Sequence, residues 1–181
     1  MKLIRNGVFE TNSSSAHSLS FGTSKVVRGA GWGMPPDETD FSNPLYHLFE
    51  VPRHYQGCSL EESLNDYGWN GYDVDTPQQK LSYLLTALGD DIQTVREHPF
   101  YTQLEEWLSE LGIGFIKAED CDGYTDGYID HQSYGIVEPS LFKTKEDLIT
   151  YLFNDNLIIH IENDNSDYQE WYTGERTHDD Y

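Results

Sequence analysis

The sequence predicts an α+β fold, a mixed and largely antiparallel sheet with three to four helices in a single domain spanning 1–181, and three observations carry that expectation. Helical apolar spacing flanked by capping residues recurs at separate places along the chain. Short apolar runs bounded by Gly, Asn and Asp mark strands. The two kinds of element do not alternate as regular βαβ units, which argues against a parallel α/β sheet. At 181 residues, 37% apolar and 14% aromatic, the chain can build a real core.

In order, residues 2–9 read as strand-like around the turn-prone pair Asn6-Gly7. A Ser-rich stretch follows from Thr11 to Ser20, then a Gly/Pro-rich loop over 29–44 with Gly31, Gly33, Pro35 and Pro36. Ser59 with Glu62 spells a capping box, predicting a short helix that ends near Gly68. The strongest helix begins at Thr76, with Pro77 at its first position and Gln79 at its third. Leu81, Leu84, Leu85 and Leu88 follow at i, i+3, i+4 and i+7, and Gly89 stands at the end. A second helix starts near Pro99 and carries Leu104, Trp107, Leu108 and Leu111 before Gly112, with Glu105, Glu106 and Glu110 on its outer face. A third starts at Thr144, with Asp147 three residues on, and carries Leu148, Tyr151 and Leu152. Strands are expected at Ile113–Ala118, Tyr128–Gln132, Gly135–Val137 and Leu157–Glu162, and no internal repeat is visible.

Charge narrows function. The net charge is −21, yet residues 1–30 hold four bases and one acid, so the other 151 residues stand at −24. Such a field repels DNA, RNA and anionic membrane but suits a basic, nucleic-acid-binding protein. No apolar run approaches the ~20 residues that cross a bilayer, and the first residues lack the apolar core of a signal peptide. Cys58 and Cys121 form no C-x-x-C pattern, so the expectation is a reduced, cytoplasmic protein without a zinc module.

Two segments contain groups suited to chemistry. Phe9 to Ser18 is rich in hydroxyls and amides. As a loop, Thr11, Asn12, Ser13, Ser14 and Ser15 with His17 suit an anion site, an irregular turn closed by its own side chains, or a serine activated by His17. No G-x-S-x-G or S-x-x-K pattern supports the last reading. The stretch Asp120–Tyr134 resembles a calcium loop only superficially. Counted from Asp122, Tyr124 occupies the third position and Ser133 the twelfth, where carboxylates belong. Asp130 and His131 with His17 have suitable donors for a metal, but a Gly-Tyr-rich hairpin with acidic turns explains the composition without one. The remaining histidines lack ligand spacing, there is no Walker A or G-x-G-x-x-G motif, and no cofactor is expected.

The segment 162–181 carries seven acids against Arg176, interleaved with Tyr168, Trp171, Tyr172 and Tyr181. Carboxylates among aromatic rings suit contact with a basic groove better than solubility alone requires. The candidate partner-binding residues are therefore Asp120, Asp122, Asp126, Glu162, Asp164, Asp167, Glu170 and Trp171.

The phrase from Arg5 to Ser18, RNGVFETNSSSAHS, resembles the opening of a group of small proteins of bacteriophages and gut Firmicutes that begin R-x-G-V-F-E-T-N-S-S-S-x-H-S. Residues 127–133, GYIDHQS, are similar to a second phrase of that group, and the resemblance covers about twenty residues in all. It implies a mobile-element origin and links His17 with Asp130 and His131. An acidic chain of this length in that group is similar to the anti-CRISPR proteins of Firmicutes that inhibit Cas9. That likeness implies a non-enzymatic inhibitor in the host bacterial cytosol. Its partner would be a Cas9-type or other nucleic-acid-binding host nuclease, with nucleic acid a component of the complex. The alternative is a nucleotide- or phosphate-binding protein, or an enzyme, using loop 11–18 with His17, Asp130 and His131.

Overall fold

The computed structural model describes residues 15–21, 26–28, 47–67, 72–129 and 137–163. Among them a four-stranded antiparallel sheet has the order β2-β1-β8-β5, formed by β1 (Ser15–Phe21), β2 (Val26–Arg28), β5 (Tyr72–Val74) and β8 (Leu157–Asn163). β8 is a central strand, with Leu19 opposite Ile159 on one side and Val74 opposite Ile159 on the other. Two small parallel pairs complete the strands: β3 (Ser59–Glu61) with β6 (Gly114–Ile116), and β4 (Asp66–Tyr67) with β7 (Tyr128–Ile129). Parallel and antiparallel pairing therefore coexist with helices, as α+β requires.

Five α-helices lie among the described residues: α1 (Pro77–Leu88), α2 (Ile92–Glu97), α3 (Pro99–Glu110), α4 (Ala118–Cys121) and α5 (Lys145–Phe153). The three long ones stand where local chemistry predicts them. Thr76 Oγ1 accepts from the Gln79 N–H while the Gln79 side chain returns to the Thr76 N–H, and Thr144 and Asp147 form the same reciprocal cap on α5. α1 is buried nearly all round rather than along one stripe. Leu81, Tyr83, Leu84 and Leu85 are joined inside by Lys80, Ser82 and Thr86, because α5, α2, β3, β5 and β7 all pack against this one helix. Each buried leucine contributes roughly 1.5–3 kcal/mol of burial. The polar groups are satisfied in place: Tyr67 Oη donates to Ser82 Oγ at 3.0 Å, and Thr86 Oγ1 donates to the Ser82 carbonyl at 2.9 Å.

Several sequence expectations need correction. The capping box at Ser59 does not start a helix. Residues 59–61 form β3, and Glu62 turns inward to meet charge from distant parts of the chain instead of reaching back to Ser59. The strand expected to Ala118 stops at Ile116, because Ala118 opens α4. α2, capped by the Asp91 carboxylate accepting from the Gln93 and Thr94 N–H groups, was not among the expected helices. Within the Ser-rich stretch expected as a loop, Ser15–Ser20 are strand, part of β1, which pairs along the whole of β8. Val137 lies in a bend rather than a strand. Tyr128 and Ile129 join β4 in parallel and form no hairpin among the described residues. The expectations for 2–9, 29–44, 130–136 and 164–181 lie outside the described residues.

Candidate functional site

Glu62 directly follows β3 and is 0% exposed. A bare carboxylate there would be untenable, and four donors converge on it. Arg96 of α2 binds both oxygens, with Nε at 3.0 Å from Oε1, Tyr101 Oη of α3 donates to Oε1, and the Ala118 N–H donates to Oε2 at 3.0 Å. Burial pushes the Glu62 carboxyl up, but these hydrogen bonds, led by Arg96, outweigh it and hold the carboxyl below its usual range. The same guanidinium reaches outward to Glu119, with Nη1 3.0 Å from Oε1, and holds that carboxyl down at about 2. Lys117 Nζ donates to Tyr101 Oη at 2.6 Å, pairs with Glu105, and sits 4.8 Å and 5.1 Å from the centroids of the Tyr101 and Phe115 rings. Burial, then the Glu62 carboxylate, pushes the Tyr101 phenol far up, so it stays protonated and donates.

This network locks α2, α3, β3 and α4 together, and it also decides surface charge. Arg96 and Lys117 are engaged by Glu62, Glu119 and Glu105, so neither base neutralises the acids beyond them. α4 and the loop after it present those acids. Asp122 takes the left-handed conformation (φ 54°), which Asp tolerates better than most residues. Gly123 then passes so close that a Cβ would fall 2.4 Å from the Glu62 carbonyl oxygen. The Tyr124 carbonyl accepts from the Leu64 N–H, its N–H donates to Ser63 Oγ, and Ile92 and Gly127 tie the loop to the start of α2 through Thr125 and Asp90. With the backbone so fixed, Asp120, Asp122 and Asp126 are exposed, and the Tyr124 ring is 74% exposed. No ion pair reaches these three carboxylates among the described residues. A carboxylate-bearing loop fixed by these backbone hydrogen bonds, with a protruding ring, has little conformational entropy left to lose.

Gly127→Ala tests the rigidity. Its Cβ would lie 2.6 Å from both the N and O of Asn65, backbone atoms that cannot swing aside. The variant is expected to lose about 1–2 kcal/mol in thermal or urea unfolding. An unchanged midpoint would show that the loop is free to move.

Of the sequence-predicted partner contacts, the structure therefore places Asp120 in α4 and Asp122 and Asp126 on the loop that follows it. Glu162 lies instead within β8, opposite Ala16. Asp164, Asp167, Glu170 and Trp171 lie outside the described residues, as do Thr11, Asn12, Ser13, Ser14, Asp130 and His131. Ser15 and His17 stand on β1, opposite Asn163 and Ile161. Among the described residues no group of three His, Cys, Asp or Glu could hold a metal ion, and no helix is long and apolar enough to cross a membrane. Sequence reasoning missed Glu62, Arg96, Tyr101 and Lys117; the only local signal was two lone bases in a strongly acidic stretch. No protein-family model, curated protein or solved structure matches the chain.

Proposed function

We propose that this chain is a non-enzymatic inhibitor of a host-defence nuclease of the Cas9 type, acting in the bacterial cytosol by covering a basic nucleic-acid-binding surface of the enzyme. One observation supports this reading above the others: Asp120 in α4 and Asp122 and Asp126 on the loop after it stand exposed beside Tyr124, without an ion pair among the described residues, on a segment tied by backbone hydrogen bonds. RNA-guided nucleases hold their heteroduplex in a positively charged channel and read the adjacent duplex with arginines. Fixed carboxylates compete for such groups as phosphates do, and the ring adds desolvated contact area.

The test is capture of the nuclease by the tagged chain, with and without guide RNA. Raising salt from about 50 mM to about 0.5 M is expected to weaken capture about tenfold or more. Asp120→Lys with Asp126→Lys is expected to weaken it by about a hundredfold while the thermal midpoint holds. Inhibition that survives this double reversal would place the contact elsewhere. Recovery of no nuclease at low salt would remove the nuclease from the reading.

A further inference from the structure

Among the described residues β3 and β6 form a sheet of two strands, and its two outer edges are treated differently. On the β3 side, the Gln78 side chain acts as a substitute strand. Its Oε1 accepts from the Glu61 N–H at 2.8 Å and its Nε2 donates to the Glu61 carbonyl at 2.9 Å. Among the described residues the β6 side has no such plug. The Gly114 N–H donates to Cys58 O and the Ile116 carbonyl accepts from the Glu62 N–H, so Gly114 and Ile116 face β3. Strand alternation then turns the N–H and C=O of Phe115 outward. No hydrogen bond to them comes from any described residue outside the β3 ladder.

That edge opens into a groove of ≈ 840 Å³ between residues 112–115 and the outer stripe of α3, where Glu105, Glu106, Ser109 and Glu110 stand. Glu105 is engaged by Lys117 and Glu110 pairs with Lys145 at 3.3 Å through two well-exposed side chains, whereas Glu106 has no ion pair among the described residues. Glu106 and Glu110 are four residues apart on a helix, a rise of about 6 Å. Alternate residues of an extended strand are about 6.6 Å apart and point to the same side.

We infer that this groove binds an extended, basic segment of a partner protein, which adds as a strand to β6 through the backbone of Phe115 and sets two cationic side chains, in the pattern Lys/Arg-x-Lys/Arg, against Glu106 and Glu110. An extended chain is required because a neighbouring strand supplies both an acceptor for the Phe115 N–H and a donor for its carbonyl. A basic one is required because the wall beside that edge is glutamate. The assignment is separate from the acidic loop and does not depend on the partner being a nuclease.

The probe is a fluorescein-labelled peptide, Ser-Val-Lys-Val-Lys-Val-Ser, titrated with the full chain at low salt and read by anisotropy, with amide exchange followed at Phe115. Saturable binding is expected, with exchange at Phe115 slowed at least about tenfold. Glu106→Lys, an exposed change checked by its melting curve, should weaken binding about tenfold. N-methylation of the central valine should remove it, because the strand donor is gone while the charge stays. Absence of binding at millimolar peptide overturns the assignment. So does equal binding of the N-methylated peptide, or an unprotected Phe115 amide. Peptide binding together with failed nuclease capture keeps the groove and discards the nuclease.

Discussion

Arg96→Met is expected to lower the unfolding free energy by about 3–5 kcal/mol at neutral pH, the cost of leaving a buried carboxylate without its cation. Glu62 is 0% exposed, and after the substitution only Tyr101 Oη and the Ala118 N–H remain to solvate it. Glu119→Gln removes a contact to the same guanidinium, but from a side chain 62% exposed, and is expected to leave the unfolding midpoint nearly unchanged because solvent screens that pair. The pH dependence separates charge from lost packing. In the native protein the Glu62 carboxyl is held below its ordinary value of 4.5, so its contribution is present above about pH 4.5 and disappears as pH falls through the folded value. Without Arg96, burial dominates and raises the folded value above the unfolded one. The variant then recovers stability as acid neutralises Glu62, in the range where the native protein begins to lose it. Urea unfolding at pH 7 and near pH 4.5 reads both slopes. An equal deficit at the two pH values would mean that Arg96 acts by packing alone.

What could be read from the sequence divides along the same line, between local and distant partners. α1, α3 and α5 are legible because Thr76 with Gln79, Pro99, and Thr144 with Asp147 act within one turn. Ser59 and Glu62 have the same spacing as those caps, yet the residues that decide their conformation are Arg96, 34 positions away, and Gly114 on the neighbouring strand. A spacing rule has no access to either. α2 did carry a local signal, Asp91 before Ile92 and Val95, but six residues give too few turns for a periodicity to stand out. The acids of the candidate loop were legible as composition, and the Asp122-Gly123 pair as a turn. Their rigidity was not, because it comes from Ser63, Leu64 and Asn65 lying against the loop from about sixty residues earlier. The groove beside β6 was hidden for the same reason, since the open edge exists only once β3 has taken the other.

The distribution of bases inside this acidic chain leads to the second large effect, at Lys80. This lysine of α1 is fully buried, and its Nζ donates to the Asn154 carbonyl at 2.9 Å, at the carboxyl end of α5. Burial pulls the ammonium down to about 8 from 10.5, against the opposing attraction of Asp155 and Asp75. Because the folded value lies below the unfolded one, charging opposes folding in full below about pH 8, and stability rises as pH climbs from there toward 10.5. Buried tyrosines oppose this at the upper end. Burial raises Tyr67 to about 12 and also pushes Tyr101 and Tyr151 well up, so they favour the folded state below about pH 10 and lose that contribution as pH passes their folded values. Between pH 7 and about 10 the lysine gives the main change, opposed above about pH 9 by the Cys58 thiol, which burial pushes up, and the gain expected from the lysine is about 2–3 kcal/mol. Lys80→Met should be more stable than the native chain at pH 7 by about 1–2 kcal/mol, since an apolar side chain of similar length avoids burying charge at the loss of one hydrogen bond. Its stability should be nearly flat over the same range relative to the native protein. The growing negative charge of the whole chain acts on both proteins alike, so the difference between their pH profiles isolates Lys80. Parallel profiles would show that the ammonium at the end of α5 is as well solvated as it is in water.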